Sequence, residues 1–408
     1  MFFNDMTSEE KKSMCTYLLE QQRLLNETFD PNDKRPFKRL KIPLRSNRGS
    51  VGSQFNIILP RTHTMISRRS KVIGMFIGVA IGDALGMPVE TWNRETIYKK
   101  YPEGLKEYKT PDGHKWFTGQ PAGSVTDDTQ LTIAVAKGLI QAKTFDFAEQ
   151  AKQHVAALKE TTAGWGHTTI ESIRRLANGV SWLESGKTSD ARRGTGNGVP
   201  MRVAPLAAWL LVSPHMFPFN EELVKFSAMT HYSKMSAFAG IIHTRLLFSA
   251  LMTQPAAWVS DFDFIDGIED CFKWEGTKDD PRFRYDVSHL NDGDDFKARM
   301  LKVRNSFIEK WSDERIEQEF GGGSCYVYDS LPFSYAYFVR NPKSIKTLYE
   351  VAEAGGDTDS NASMVGALLG ALNGFEFWEK HPHLLLELNC FDEIEVLANQ
   401  FCDTFGIE

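Results

Sequence analysis

Cysteine is scarce and scattered in this sequence. The five residues, Cys15, Cys271, Cys325, Cys390 and Cys402, are odd in number, far apart and never spaced as CxxC. That excludes a disulfide framework and argues against a cysteine-held zinc; reduced thiols in a cytoplasmic protein are the expectation. An excess of basic charge is also missing. Lys plus Arg number 47 against 53 Asp plus Glu, a formal charge of −6, which speaks against wholesale nucleic-acid binding. No stretch approaches the ~20 apolar residues of a membrane span, so none is expected. The opening MFFNDMTSEEKKSMC has early acids and no apolar run before a small-residue cleavage site, and does not read as a secretory signal. Strand signals are sparse, and no fixed-period repeat is present.

What remains is the composition of an ordinary folded protein. Hydrophobic residues make up 42 % and charged residues 25 % of 408, enough to bury a sizeable core without staples. Residues 8–27 are spaced for a short helix with Leu18, Leu19, Leu24 and Leu25 on one stripe. Residues 34–48, KRPFKRLKIPLRSNR, carry seven basic residues, no acid and two prolines. This stretch reads either as a solvated linker or as a basic arm for an acidic partner.

From about residue 66 the pattern becomes helical. Residues 72–87 (VIGMFIGVAIGDALGM) mix small and aliphatic residues, which suits a buried helix under close backbone approach. Residues 126–142, 199–212, 234–252, 344–355 and 361–374 are also expected to be helices. Residues 325–338 (CYVYDSLPFSYAYF) are the best strand candidate. The charged, aromatic region 251–320 reads as an insertion or peripheral helices outside any site. The domains expected are an extension, 1–65, and a helical domain, 66–408.

Two acidic clusters stand out, Ser124-Val125-Thr126-Asp127-Asp128-Thr129 and Gly355-Gly356-Asp357-Thr358-Asp359-Ser360-Asn361, each just before an apolar helix. Either alone is open to a capping role, because Thr and Asp satisfy orphan amides at helix starts. Together they offer four carboxylates interleaved with hydroxyls, an all-oxygen set suited to hard cations such as Mg²⁺, Mn²⁺ or Ca²⁺. Without cations such carboxylates would repel one another or take up protons. Residues 191–202, ARRGTGNGVPMR, bring three glycines and Asn197 ahead of an apolar segment. That arrangement lets backbone amides approach a phosphate, although a plain loop fits it equally. It is neither a Walker loop, lacking GK[ST], nor a Rossmann fingerprint, lacking the preceding strand.

Five segments in order, IGDALGMPVE (81–90), GSVTDDTQLT (123–132), GNGVPMRVAPLA (196–207), THYS (230–233) and EAGGDTDSNASMVGALLGALNG (353–374), make the chain resemble the ADP-ribosylglycohydrolase family. The resemblance implies an all-α fold, a single large orthogonal helical domain with a short N-terminal extension. It implies a dinuclear Mg²⁺ centre, with Mn²⁺ possible, held by Thr126, Asp127, Asp128, Asp357, Asp359 and Ser360. Glu90, Asp127 and Asp128 are the implied catalytic residues. Gly164, Gly166, Thr195, Gly196, Asn197, Gly198, Met201 and His231 would line ADP-ribose. The implied activity is hydrolysis at C1″ of the distal ribose in an ADP-ribosylated protein, arginine-linked in the first instance, releasing ADP-ribose. Serine-linked or other linkages, a dimetal phosphoesterase and a non-catalytic ADP-ribose binder are the alternatives. GVPMR, with its proline before Met201, and GWGH at 164–167 depart from the family pattern, which points to a different acceptor end of the pocket.

Overall fold

A computed structural model of the chain describes residues 37–43, 54–60, 65–190, 193–213, 219–273 and 295–408. The short helix expected at 8–27 lies outside them. Compact units divide at Met65/Ile66. In the first, β1 (Phe37–Pro43) and β2 (Gln54–Pro60) pair antiparallel, with Phe37 opposite Pro60 and Pro43 opposite Gln54. The linker reading of 34–48 is thereby corrected over 37–43. Its two prolines bracket or end the strand, where a missing N–H is tolerated, and Leu40 and Ile42 alternate with basic residues.

The second unit is helical. Its first half contains α1 (Arg68–Gly86), α2 (Arg94–Lys100), α3 (Asp127–Ala142), α4 (Phe147–Glu160), α5 (His167–Ala177), α6 (Ala204–Trp209) and α7 (Phe219–Ala228). Next come α8 (Lys234–Met252), α9 (Asp266–Lys273), α10 (Phe296–Ile308), α11 (Asp313–Glu319) and α12 (Val327–Arg340). The chain finishes with α13 (Ile345–Ala352), α14 (Thr358–Asn373), α15 (Phe375–Glu379), α16 (Pro382–Leu386) and α17 (Phe391–Phe405).

The centre of this unit is the antiparallel pair α1 and α14. Gly74, Gly78, Gly82 and Gly86 recur every fourth residue and so share one face of α1. A Cβ placed on Gly78 would sit 2.1 Å from the carbonyl oxygen of Gly366, and one on Gly82 equally close to that of Ala362. Gly370 meets Gly74, and Gly86 meets Thr358, in the same way. The two backbones therefore touch along four turns. This contact sets the C-terminal end of α1 beside the N-terminal end of α14, where the second acidic cluster begins.

Several sequence expectations are corrected. Two segments, Arg68–Val89 and Lys234–Met252, do reach the length and hydropathy of a membrane span. They are 94 % and 78 % buried inside the helical unit, as its core helices. Residues 325–338 form no strand, since α12 runs through Pro332. Leu331, Phe333, Tyr335, Tyr337 and Phe338 are all buried, so the segment is enclosed on every side and shows no single apolar stripe. The helix expected at 199–212 splits into a 3₁₀ turn, Pro200–Arg202, and α6, with Pro200 and Pro205 each opening its piece. In the charged region 251–320, Phe264, Ile268, Phe296, Met300 and Phe320 are buried in the common hydrophobic core, and residues 274–294 lie outside the described part.

Candidate active site

Asp83 is the one charged residue in the apolar run of α1. Fully buried, it accepts from the backbone N–H of Thr126 at 3.0 Å and from its hydroxyl at 2.9 Å. It also accepts from the Thr129 N–H at 3.0 Å and the Thr129 hydroxyl at 2.5 Å. Thr126, at the N-cap of α3, makes no side-chain cap of its own. A carboxylate from a neighbouring helix therefore satisfies the orphan amides at the start of α3. Sequence reasoning missed this role, although an isolated acid within an apolar helical run was the available signal.

With α3 held this way, the two acidic clusters meet. Ser360 donates its hydroxyl to Asp128 Oδ2 at 3.0 Å, and the Thr126 hydroxyl lies 3.4 Å from Asp359 Oδ2. Residues some 230 apart in sequence thus share one buried site. Glu90, just after the 3₁₀ turn Met87–Val89, joins them. Glu90, Asp357 and Asp359 each place a carboxylate oxygen within 4.8 Å of the others. Sequence reasoning had given Glu90 to catalysis and not to this grouping. Asp127 and Asp128 complete no second group of that kind among the described residues.

Six carboxyls crowd together, and burial with mutual repulsion raises their proton affinity. Burial lifts Asp83 to about 6 against its hydrogen bonds from Thr129 and Thr126. Burial, then Asp83, carries Asp127 to about 8. Burial, then Asp357, Asp127 and Asp83, carries Glu90 to about 9. Asp128 and Asp359 are pushed well above the ordinary carboxylate range by burial and their acidic neighbours, and burial raises Asp357 as well. Asp128 Oδ1 is buried without a partner. A carboxyl-and-hydroxyl site with an orphaned oxygen, and among the described residues no Lys or Arg salt-bridged to its acids, has the donor chemistry of a hard divalent cation site, and the residues fit such ions.

The glycine-rich loop abuts this cluster. Asn197 donates its side-chain amide to Asp357 Oδ2 at 2.7 Å and to Ser330 Oγ at 3.0 Å. Its backbone N–H is bound to the Cys325 carbonyl at 3.0 Å, and the Gly196–Tyr326 bridge fixes the strand-like entry of the loop. The Thr195 carbonyl accepts from the Val327 N–H at 2.9 Å. Met201 reaches the cluster through its sulfur, 3.8 Å from the Ser360 hydroxyl. Gly166 directs its N–H at Asp127 Oδ2 at 3.4 Å. Gly164 has φ +83° and no room for a side chain, since a Cβ would lie 2.8 Å from Phe117.

His231 sits apart from the acids. Its Nδ1 is 2.9 Å from the Thr230 hydroxyl, and its ring fills the place of a side chain at Gly198, where a Cβ would come within 2.9 Å of Nε2. The structure thus brings Glu90, Thr126, Asp127, Asp128, Gly166, Asn197, Met201, Asp357, Asp359 and Ser360 into one connected cluster. It places Thr195, Gly196 and Gly198 on the adjoining loop, with the His231 ring packed against it, and Gly164 behind Thr126.

The architecture is an all-α domain in which two helix starts converge on buried acids beside a glycine loop. The ADP-ribosylglycohydrolase family profile matches residues 64–406, and the chain belongs to that family. It is 24 % identical over 310 residues to the ADP-ribosyl-[dinitrogen reductase] glycohydrolase of Rhodospirillum rubrum, covering 76 % of this chain and 88 % of that protein. ADP-ribosylhydrolase ARH3 of Gallus gallus is 25 % identical over 363 residues, covering 81 % and 92 %. A solved structure described as an ADP-ribosylglycohydrolase-related protein complex shares the fold, with a TM-score of 0.60 at 21 % identity over 83 % of this chain and 99 % of its own.

Proposed function

We propose that this protein is a metal-dependent hydrolase that removes ADP-ribose from modified arginine side chains by cleaving the C1″–N bond of the distal ribose. The observation that carries the reading is the convergence of Glu90, Asp127, Asp128, Asp357 and Asp359 beside the Gly196–Gly198 loop. Thr126, Asp127, Asp128, Asp357, Asp359 and Ser360 would hold two divalent cations, Mg²⁺ in the first instance. The grouping in space of Glu90 with Asp357 and Asp359 adds it to the candidates. When bound, such ions supply charge for orienting vicinal ribose hydroxyls and for polarising a water.

The protein's own residues divide the remaining work. Because the Asn197 N–H is held by Cys325, the Gly196 and Gly198 amides are the loop's donors for a diphosphate held close to the chain. Asn197 fixes Asp357 by its side-chain amide. Of the six crowded acids only Glu90 is partly exposed, so its carboxyl is the one placed to meet substrate. Cleavage at an anomeric carbon builds positive charge on the ring, which surrounding carboxylates stabilise. A water oxygen bonds to C1″, the C1″–N bond breaks, and the water's proton passes to the leaving nitrogen, with Glu90 as its carrier.

The test is a release assay on peptides ADP-ribosylated at Arg, Ser or Glu/Asp, with and without chelator. Free ADP-ribose and intact arginine peptide, lost on chelation and restored by Mg²⁺, is the expected result. Release from the serine peptide alone would reassign the acceptor, and AMP or ribose phosphate as product would replace the glycohydrolase by a phosphoesterase.

A further inference from the structure

Arg202 is a fully buried cation in the helical core, and the acid cluster does not bind it. Its Nη2 donates to the Thr230 hydroxyl at 2.5 Å, and its guanidinium lies over the Phe226 ring, 5.1 Å from the centroid. Nε and Nη1 have no hydrogen-bond partner. A guanidinium can only donate, so Thr230 Oγ1 must accept from it. The single proton on that hydroxyl then needs an acceptor, and the one within reach is His231 Nδ1 at 2.9 Å. The opposite arrangement, Nδ1–H donating to Thr230, would leave a buried hydroxyl proton unsatisfied, at a cost of about 1–3 kcal/mol.

The backbone of Thr230 is itself pinned. Its carbonyl accepts from Ser172 Oγ at 3.0 Å, and Ser172 accepts from Arg175 Nη2 at 3.2 Å. The ring edge opposite the relay faces the ligand loop. A Cβ on Gly196 would come 3.7 Å from His231 Nε2, and one on Gly198 2.9 Å. Among the described residues nothing accepts from Nε2. Burial, followed by the Arg202 charge, holds the ring neutral, with its pKa lowered to about 3, so the ring has one N–H to place.

We propose that Arg202 and Thr230 are positioning residues that lock His231 in its Nε2–H tautomer, aimed as a neutral donor at an oxygen of ADP-ribose over the Gly196–Gly198 turn. The ligand named here rests on the proposed function; the relay itself does not. The arrangement makes a fixed donor from a histidine that has no carboxylate partner, through a threonine whose own orientation is dictated by a buried arginine.

The test uses the full-length protein with ¹⁵N-labelled histidine. Long-range ¹H–¹⁵N spectra report the tautomer, with the His231 signal assigned by its loss in His231→Gln. Wild type is expected to show the Nε2–H ring. Thr230→Val is expected to give a mixed or reversed tautomer and a Kd for ADP-ribose weakened about tenfold. Thr230→Ser is expected to restore the tautomer and bring affinity to within about twofold of wild type. A merely structural Thr230 would move the melting temperature and leave the tautomer unchanged. An Nδ1–H ring in wild type overturns the proposal, as does a folded Thr230→Val variant with unchanged tautomer and affinity. Should Thr230→Val fail to fold, the wild-type spectrum and the serine variant still decide. A wild type that shows the Nε2–H ring but binds no ADP-ribose overturns the ligand assignment and the proposed function together, and leaves the relay standing.

Discussion

Gly78 of α1 faces Gly366 of α14 so closely that a Cβ on either would lie 2.1 Å from the other's carbonyl oxygen. Because this crossing brings Asp83 and Glu90 to the start of α14, the acid cluster depends on two residues that carry no chemistry. Gly78→Ala is therefore expected to destabilise the domain by about 3 kcal/mol, the upper end for overpacking, since backbone rather than a flexible side chain must yield. Thermal melting checks the stability. Divalent-cation affinity measured on the same variant should fall with it, and an unchanged melt would remove the crossing from the account.

Acid crowding sets a pH dependence in the cation-free protein. Folding raises Asp83 from 3.8 to about 6, Asp127 from 3.8 to about 8 and Glu90 from 4.5 to about 9. The folded state therefore holds protons that the unfolded chain has already lost, so stability from these groups is greatest at the acid end of the window. It declines as pH rises from about 4 to about 9. The chelated protein is expected to melt higher at pH 5 than at pH 8. Saturating Mg²⁺ at pH 8 should raise the melting temperature and release protons into a weakly buffered solution. A melt that is flat with pH and indifferent to Mg²⁺ counts against a cation site here.

Asp128→Asn and Asp357→Asn address the cations directly. Each is expected to lower cation affinity and ADP-ribose release by about 100-fold or more, at least the cost of disturbing groups that merely orient metal ligands. Far-UV circular dichroism should stay helical. Wild-type turnover in chelator-treated buffer by either variant would sink the two-cation reading.

Gly198→Ala tests the loop. The new methyl would stand 2.6 Å from His231 Cε1 and 2.9 Å from Nε2, so the imidazole must leave its place. ADP-ribose affinity is expected to fall about tenfold, roughly 1.4 kcal/mol, with cation affinity unchanged. Titration calorimetry with each ligand separates the two.

Deleting residues 1–60 probes the N-terminal unit. Since the family match begins at residue 64, turnover of a small ADP-ribosylated arginine compound is expected to persist. Weaker capture of an ADP-ribosylated protein, read as a raised KM with unchanged kcat, would give the basic stretch a role in substrate recruitment. Loss of the small-substrate reaction would place these residues in the catalytic domain.

Much of this was legible in the residues themselves. The order of the motifs identifies the family, and the Asp127–Asp128 and Asp357–Asp359 pairs mark an oxygen-rich site because two such clusters together supply more carboxylates than helix capping requires. Helices with a strong one-sided apolar spacing, such as α13 (Ile345–Ala352), were readable as well. Where burial surrounds a segment the periodic signal vanishes, and α12, apolar on every side with Pro332 inside it, took on the look of a strand. The N-terminal basic stretch misled in the opposite way, because pairing with β2 is a long-range hydrogen-bond decision that its own charge and prolines do not announce.

The sequence by itself determined the chemistry available: which acids, which glycines, and a formal charge of −6 with no cysteine framework. Tertiary structure alone decided who meets whom. Asp83 caps α3 from another helix, Glu90 joins Asp357 and Asp359, and Arg202 reaches His231 through Thr230. Each of these depends on distances between segments remote in the chain. For Asp83 and Glu90 those distances follow from how closely α1 and α14 approach, and for Arg202 from the packing of its 3₁₀ turn against Phe226 and Thr230, quantities that a list of residues does not contain.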